Sequence, residues 1–283
     1  MEMHHRSSCR CKVRSSVFCV VVYIVAFNVL CLYYLTKSAS PWMSHHGPFY
    51  FPANRWTCKP VRVSPRPLTL TALASFPGSG NTWVRHLVQQ ATGIATGSLY
   101  NDTSLRLQGF PGEGQVSRHV IFVKSHEWGK QIRSKFEKAI LLVREPYGTL
   151  LAEFNRRHGG HMGHARKEDF GKEWFGYVHK TAVAWVEHNV DWLKFDGPLY
   201  VMNYSELRRN STECIEHLLR FLDVNVTHSD LTCMAKNSQG YFKRLTFKML
   251  DYDPYTSVMK YSISNYIRNV SKEIENYYKG KIR

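Results

Sequence analysis

Apolar and polar positions change period several times along the chain. Val17–Leu35 carries no charge, and only Asn28 within it is strongly polar; a run of that length crosses a bilayer as a helix. From Leu68 onward the apolar runs shorten. Leu68–Ala74, His119–Val123, Ala139–Val143 and Leu199–Met202 predict buried strands, and residues 82–92, 172–195 and 211–222 carry helical spacing. In the first of these helices Trp83, Leu87, Val88 and Ala91 recur at helical intervals. Ser211 or Thr212 would cap the last, with Glu213 in its first turn. Strands alternating with helices predict a parallel sheet in an α/β layered domain.

The pattern divides the chain into a tail (1–16), a membrane-spanning signal-anchor (17–35), a stem (36–67) and one domain (68–283). Arg6, Arg10, Lys12 and Arg14 precede the span, which keeps that end cytosolic and sends the remainder to the lumen, a single-pass type II arrangement. A cleaved signal peptide is the competing reading, with Ser38-Ala39-Ser40 as its cleavage site, but its apolar core would be shorter, roughly 7–15 residues. The stem holds Pro41, Pro48, Pro52, Pro60, Pro65 and Pro67 and shows no periodicity. Sequons at Asn101, Asn210, Asn225 and Asn269 fall on the luminal side. The sequon at Asn203 is doubted, because it ends a predicted buried strand.

Cys9, Cys11, Cys19 and Cys31 belong to the tail or span, which leaves Cys58, Cys214 and Cys233 for the lumen. An oxidising compartment and a short intervening loop favour a Cys214–Cys233 disulfide, against two buried thiols. The formal charge of +16 implies contact with polyanions. A luminal domain does not meet nucleic acid, so a phosphorylated donor, acidic glycans or membrane headgroups fit better.

Open α/β sheets bind ligands beyond the carboxyl ends of their strands. After the first predicted strand comes Ser75-Phe-Pro-Gly-Ser-Gly-Asn-Thr-Trp83, a glycine turn into a helix start, where free amides and the helix dipole suit an anion. Lys124-Ser125-His126, Arg144-Glu145-Pro146 and Tyr204 follow the next three. The turn is not a Walker A loop: Asn81-Thr82 stand where Lys-Ser/Thr is required, which argues against a P-loop kinase.

These segments resemble the sulfotransferases that use 3′-phosphoadenosine 5′-phosphosulfate (PAPS). The glycine turn is similar to their 5′-phosphosulfate loop, Val123-Lys-Ser-His126 to the strand end that carries their catalytic base, and Val143-Arg-Glu-Pro146 to the start of their 3′-phosphate segment. Val201–Leu207 and Lys236-Asn-Ser-Gln-Gly-Tyr-Phe-Lys243 resemble later family segments. Phe-Pro-Gly-Ser-Gly-Asn-Thr-Trp, Ala-Glu-Phe-Asn-Arg and Gly-Tyr-Phe-Lys-Arg are most similar to the sulfotransferase-like domain of the WSC-domain-containing (WSCD) family, here as a short member without the WSC module.

The resemblance implies a P-loop-like three-layer domain with a central parallel sheet, preceded by a single transmembrane helix. It implies a Golgi membrane enzyme that moves a sulfuryl group from PAPS, without a metal, to a glycan hydroxyl on a glycoprotein or glycolipid, with sialic-acid-terminated glycans as candidate acceptors. His126 would be the general base and Lys124 would neutralise charge. Gly78, Ser79, Gly80, Asn81, Thr82, Trp83, Arg144, Tyr204, Lys236 and Lys243 would hold the co-substrate. A homodimer is compatible with this reading. Three positions depart from the family pattern: Gly78 replaces a lysine, Ala152 a serine and Ala235 an arginine. Lys124 or Arg85 would then stand in for the loop lysine, and a catalytically inactive glycan-binding protein is the alternative. His158-Gly-Gly-His-Met-Gly-His164 reads as a mobile basic loop over the acceptor site, since its spacing suits metal ligation poorly.

Overall fold

The computed structural model describes residues 58–240, 242 and 250–281. The predicted tail, the signal-anchor, most of the stem and Lys243 lie outside the described residues. Among the described residues no helix is long and apolar enough to cross a membrane.

The elements run β1 (Thr71–Ser75), α1 (Asn81–Thr92), β2 (Gly97–Ser98), α2 (Thr103–Leu107), β3 (Val123–Ser125), α3 (Lys130–Arg133), β4 (Lys138–Val143), α4 (Pro146–Gly159), α5 (Lys167–Trp192), β5 (Leu199–Asn203), α6 (Tyr204–Arg209), α7 (Ser211–Phe221), α8 (His228–Lys236) and α9 (Ser257–Lys281). The five strands form one sheet in the order β2-β3-β1-β4-β5, and every pairing is parallel. From β1 the chain fills one side of the sheet, then crosses to the other. That reversal opens a crevice at the carboxyl end of β1.

Strand residues alternate between the two faces, as a two-residue period requires. Leu73, Ile140, Leu142 and Met202 pack with Val84, Leu87 and Val88 of α1, Ile215 and Leu218 of α7, and Met234 of α8. Ala72, Ala74, Ala139 and Leu141 pack on Trp192 of α5 and on Phe136. Beside them Phe154, Trp174, Trp185, Met259 and Ile263 join α4, α5 and α9. The result is an α/β/α sandwich, the layered architecture expected of alternating strands and helices.

Several element boundaries differ from the expectation. The apolar run His119–Val123 forms a strand only from Val123; Ile121 instead donates to the Ala95 carbonyl at 3.0 Å, outside the ladder. Asn210, not Ser211 or Thr212, caps α7, its side-chain oxygen accepting from the Glu213 amide at 3.2 Å. α5 begins at Lys167, five residues before the predicted start, where the Arg166 backbone N–H donates to the Asp169 carboxylate at 2.8 Å. Helices α4, α8 and α9 carry no element in the sequence reading. In α4 the buried face includes Thr149 and Glu153, so polar residues interrupt the apolar stripe that would reveal it.

The disulfide expectation is corrected. Cys58 pairs with Cys233, 175 residues away, and Cys214 is free and partly buried. Cys214 sits on α7 against the first core cluster, whereas Cys233 on α8 meets the chain as it enters the domain. Residues 58–67 are held there too. Arg62 pairs with Ile94 in a parallel bridge, and Ser64 and Leu68 donate to the His119 and Arg118 carbonyls, both at 2.7 Å. Replacing Cys58 with serine should cost about 2–4 kcal/mol, since the loop that the bond closes is long. Denaturant unfolding of the variant checks this; an unchanged midpoint would mean that the bond does not constrain the unfolded chain. Asn101, Asn203, Asn210, Asn225 and Asn269 are all exposed, Asn203 included despite ending β5.

Candidate active site

The crevice is built first from the turn between β1 and α1. Gly78 and Gly80 have φ of +86° and +94°, a region that L side chains avoid. A side chain at 78 would also meet the Thr149 carbonyl oxygen of α4 at 2.4 Å, and one at 80 would meet the Tyr204 ring at 2.6 Å. Both glycines are therefore fixed by close neighbours as well as by backbone angle. Gly80 supplies no side-chain cap to α1, and the bonds of the helix begin where the Trp83 amide donates to the Gly80 carbonyl at 3.0 Å. Amides in the first turn of a helix have no partner within it, and such amides suit an anion.

Ser79 is 1% exposed, and its hydroxyl has no hydrogen-bond partner among the described residues. A buried hydroxyl left unpaired is costly, and a phosphate or sulfate oxygen would supply the partner. Asn81 behaves differently. Its side-chain amide donates to the Leu73 carbonyl at 3.2 Å and to Ser75 Oγ at 3.1 Å, so the side chain ties the turn to β1. Thr82 and Trp83 are partly exposed.

Arg144, just past β4, donates from Nη1 to the Gly78 carbonyl at 2.9 Å. Its guanidinium lies 4.5 Å from the centre of the Tyr204 ring, while its Nε is buried and has no hydrogen-bond partner among the described residues. Gly148 makes room for it, because a side chain there would meet Arg144 Nη2 at 2.5 Å. Tyr204 is edge-on to Trp83 with ring centres 5.9 Å apart. The Trp83 indole N–H donates to the Ser238 carbonyl at 3.0 Å, so the segment after α8 also reaches the site. Lys236, the last residue of α8, is exposed.

On the other side of β1 stand Lys124 and His126. The His126 Nδ1–H donates to the Ser75 carbonyl at 2.7 Å, which leaves Nε2 with a free lone pair. Its backbone N–H donates to the Tyr100 hydroxyl at 2.9 Å, and the two rings stack at 5.5 Å. The Tyr100 hydroxyl in turn donates to Glu127 at 2.9 Å. Burial, together with the neighbouring Lys124 ammonium, pushes the His126 pKa down to about 3, so the imidazole is neutral. Lys124 is 7% exposed, and burial brings its pKa down to about 8.

Gly78, Ser79, Gly80, Trp83, Lys124, His126, Arg144 and Tyr204 thus converge from separate strand ends. Arg85 does not join them: it is buried, bonded to Glu113 and, at 2.8 Å, to Thr96 Oγ1. It is therefore committed to the interior and cannot replace a loop lysine. In the segment His158–His164, α4 extends through Gly159, so only residues 160–164 lie outside a helix. His158 lies 3.7 Å from Asp169 and 3.5 Å from Glu173, and His161 lies 2.6 Å from Asp102. Among the described residues no group of His, Cys, Asp and Glu side chains could hold a metal. Tyr100 escaped the sequence reading; it follows no predicted strand, and only the fold brings it against His126.

Comparison with known proteins agrees with this construction. The sulfotransferase domain family matches residues 69–276. A WSCD family member of Drosophila melanogaster is 42% identical over 201 residues, covering 69% of this chain and 63% of its own length. One of Aedes aegypti is 42% identical over 199 residues, covering 69% of this chain and 62% of its own. The chain thus spans less than two thirds of these relatives. A mouse sulfotransferase solved in complex with PAP is 15% identical, with a TM-score of 0.49 over 70% of this chain and 82% of that one. The matched segment holds the glycine turn, the three strand ends beside it and the parallel sheet that assembles them: the chain belongs to the sulfotransferase domain family, within its WSCD group.

Proposed function

We propose that this chain is a Golgi membrane sulfotransferase, anchored through residues 17–35, that transfers the sulfuryl group of PAPS to a glycan hydroxyl in the lumen. The observation that carries the reading is the buried Ser79 hydroxyl, without a partner among the described residues, at the end of the same strand whose Ser75 carbonyl takes the Nδ1–H of His126 and so leaves the imidazole lone pair on Nε2. PAPS supplies the sulfuryl group and leaves as 3′-phosphoadenosine 5′-phosphate (PAP). Ser79 and the amides at the start of α1 would hold the 5′-phosphosulfate, Arg144 the 3′-phosphate, and Trp83 and Tyr204 the adenine. Lys236 extends the basic surface toward the 3′-phosphate. His126 Nε2 takes the proton of the acceptor hydroxyl as its oxygen bonds to sulfur. The bond from sulfur to the phosphate oxygen breaks, and its electron pair stays on the phosphate. Lys124 offsets the charge that builds there. Recurrent donors and positioning, without covalent catalysis, suffice for such a transfer.

The test is radiolabelled sulfate transfer from PAPS to a glycan array by the purified full chain, beside His126→Ala. Label above the variant's background supports the reading, and none on any acceptor overturns it. A non-catalytic glycan-binding protein is the second reading, favoured by the absence of a cationic side chain in the glycine turn at Gly78.

Lys124 also gives this reading a pH signature. Its pKa is lowered to about 8 by burial, and a bound anion raises it again, because opposite charge favours the ammonium. Between about pH 8 and 10, PAP binding should therefore take up a proton and weaken as pH rises. Calorimetry at pH 9 in buffers of different ionisation heat measures that uptake. Equal uptake by Lys124→Met would assign the proton to another group.

A further inference from the structure

Transfer of a sulfuryl group builds negative charge on its oxygens and on the departing phosphate, and the glycine turn has no room for a cation at position 78. The residue beneath that position is Glu153 of α4, whose backbone N lies 3.0 Å, and whose Cβ 3.3 Å, from where a side chain at 78 would begin. Glu153 is 1% exposed. It accepts a two-pronged pair of bonds from Arg156, from Nε to Oε2 and from Nη2 to Oε1, each 2.7 Å, and a further one from Arg157 Nε at 3.0 Å. One buried carboxylate thus serves two guanidinium groups, and the cluster retains a net positive charge.

The two arginines differ in what they face. Arg157 lies over the Tyr177 ring at 5.1 Å. Burial first, and then neighbouring charges, lower the pKa of Lys124 and of His126, and the Arg156 guanidinium is the smallest of those contributions at each. Its side chain is 47% exposed. Glu153 engages Nε and Nη2, and Nη1 has no partner among the described residues. An arginine held rigid by a buried carboxylate, with one amino group left over, is a preorganised donor.

We propose that Arg156 is a catalytic residue: through Nη1 it hydrogen-bonds the sulfuryl end of the donor and offsets the charge that grows there, with Glu153 as its positioning residue. This rests on the sulfotransferase reading above. In the step, the bond between acceptor oxygen and sulfur forms as the bond between sulfur and phosphate oxygen breaks. The acceptor proton goes to His126, and Arg156 neither gains nor loses one.

The experiment compares the affinities of the full chain for PAPS and for PAP by calorimetry, together with transfer kinetics, in wild type, Arg156→Ala, Arg156→Lys and Glu153→Gln. In Arg156→Ala the ratio of PAPS to PAP affinity should shift by about tenfold or more against PAPS, the loss of one charged hydrogen bond. Affinity for PAP itself should hold. The turnover number should fall by about 10²-fold or more, as for loss of one transition-state donor. Lysine should restore part of this, since it keeps the charge without the fork, and Glu153→Gln should lower turnover without raising the acceptor KM. An unmoved PAPS-to-PAP ratio overturns the proposal, whether transfer is unchanged or only the acceptor KM rises; the second result would make Arg156 an acceptor contact. If wild type transfers to no acceptor yet the ratio still shifts, Arg156 keeps its place at the sulfuryl end and the enzyme reading falls instead.

Discussion

Replacing His126 with alanine should lower sulfuryl transfer by about 10²–10⁴-fold, the usual contribution of a general base, and leave PAP binding intact. The expectation follows from the tautomer. Nδ1–H is spent on the Ser75 carbonyl at 2.7 Å, so the free lone pair sits on Nε2. With its pKa held down to about 3 by burial and Lys124, the imidazole is unprotonated at any working pH. A bound polyanionic donor would raise that pKa toward the range in which a base is effective. Steady-state kinetics, with PAP titration as the control, decide the matter. Transfer within about threefold of wild type would place the base elsewhere. A loss of PAP affinity in parallel would show that His126 holds the turn together through Ser75, and does not act on the acceptor.

Placing a lysine at position 78 should disable the site and not improve it. The backbone there has φ of +86°, which costs an L-residue about 1–2 kcal/mol. The side chain would start 2.4 Å from the Thr149 carbonyl oxygen. That oxygen belongs to the backbone of α4 and cannot swing aside as a side-chain tip would, so overpacking adds about 1–3 kcal/mol. Gly78→Lys should therefore melt roughly 4–20 °C below wild type for a domain of this size, and PAP should stabilise it little. An unchanged melting temperature, with transfer raised above wild type, would mean that α4 does not lie against the turn and that the glycine is a simple loss of function.

Much of this site could be read along the chain because its parts sit at strand ends, and strand ends are marked locally. Lys124, His126, Arg144 and Tyr204 each follow an apolar run, and a parallel sheet must bring such positions to one edge. The glycine turn announced itself through composition. The cysteines show the limit of that logic. Proximity in sequence favoured Cys214 with Cys233, yet the partner of Cys233 is Cys58, because disulfide pairing follows distance in space. Arg85 shows it again. A basic residue near the turn suggested a replacement cation, but its place in α1 turns it inward to Glu113.

The sequence by itself determined the layered α/β class, the glycine turn and the histidine at the neighbouring strand end, since each depends on periodicity or on residues adjacent along the chain. Only the tertiary structure decided that position 78 must be glycine, that the chain entering the domain is bonded to α8, and that Glu153, packed beneath position 78, holds Arg156. Those facts depend on how closely α4, α8 and the turn approach one another. Such approach is set by packing between segments far apart in sequence, which no local pattern records.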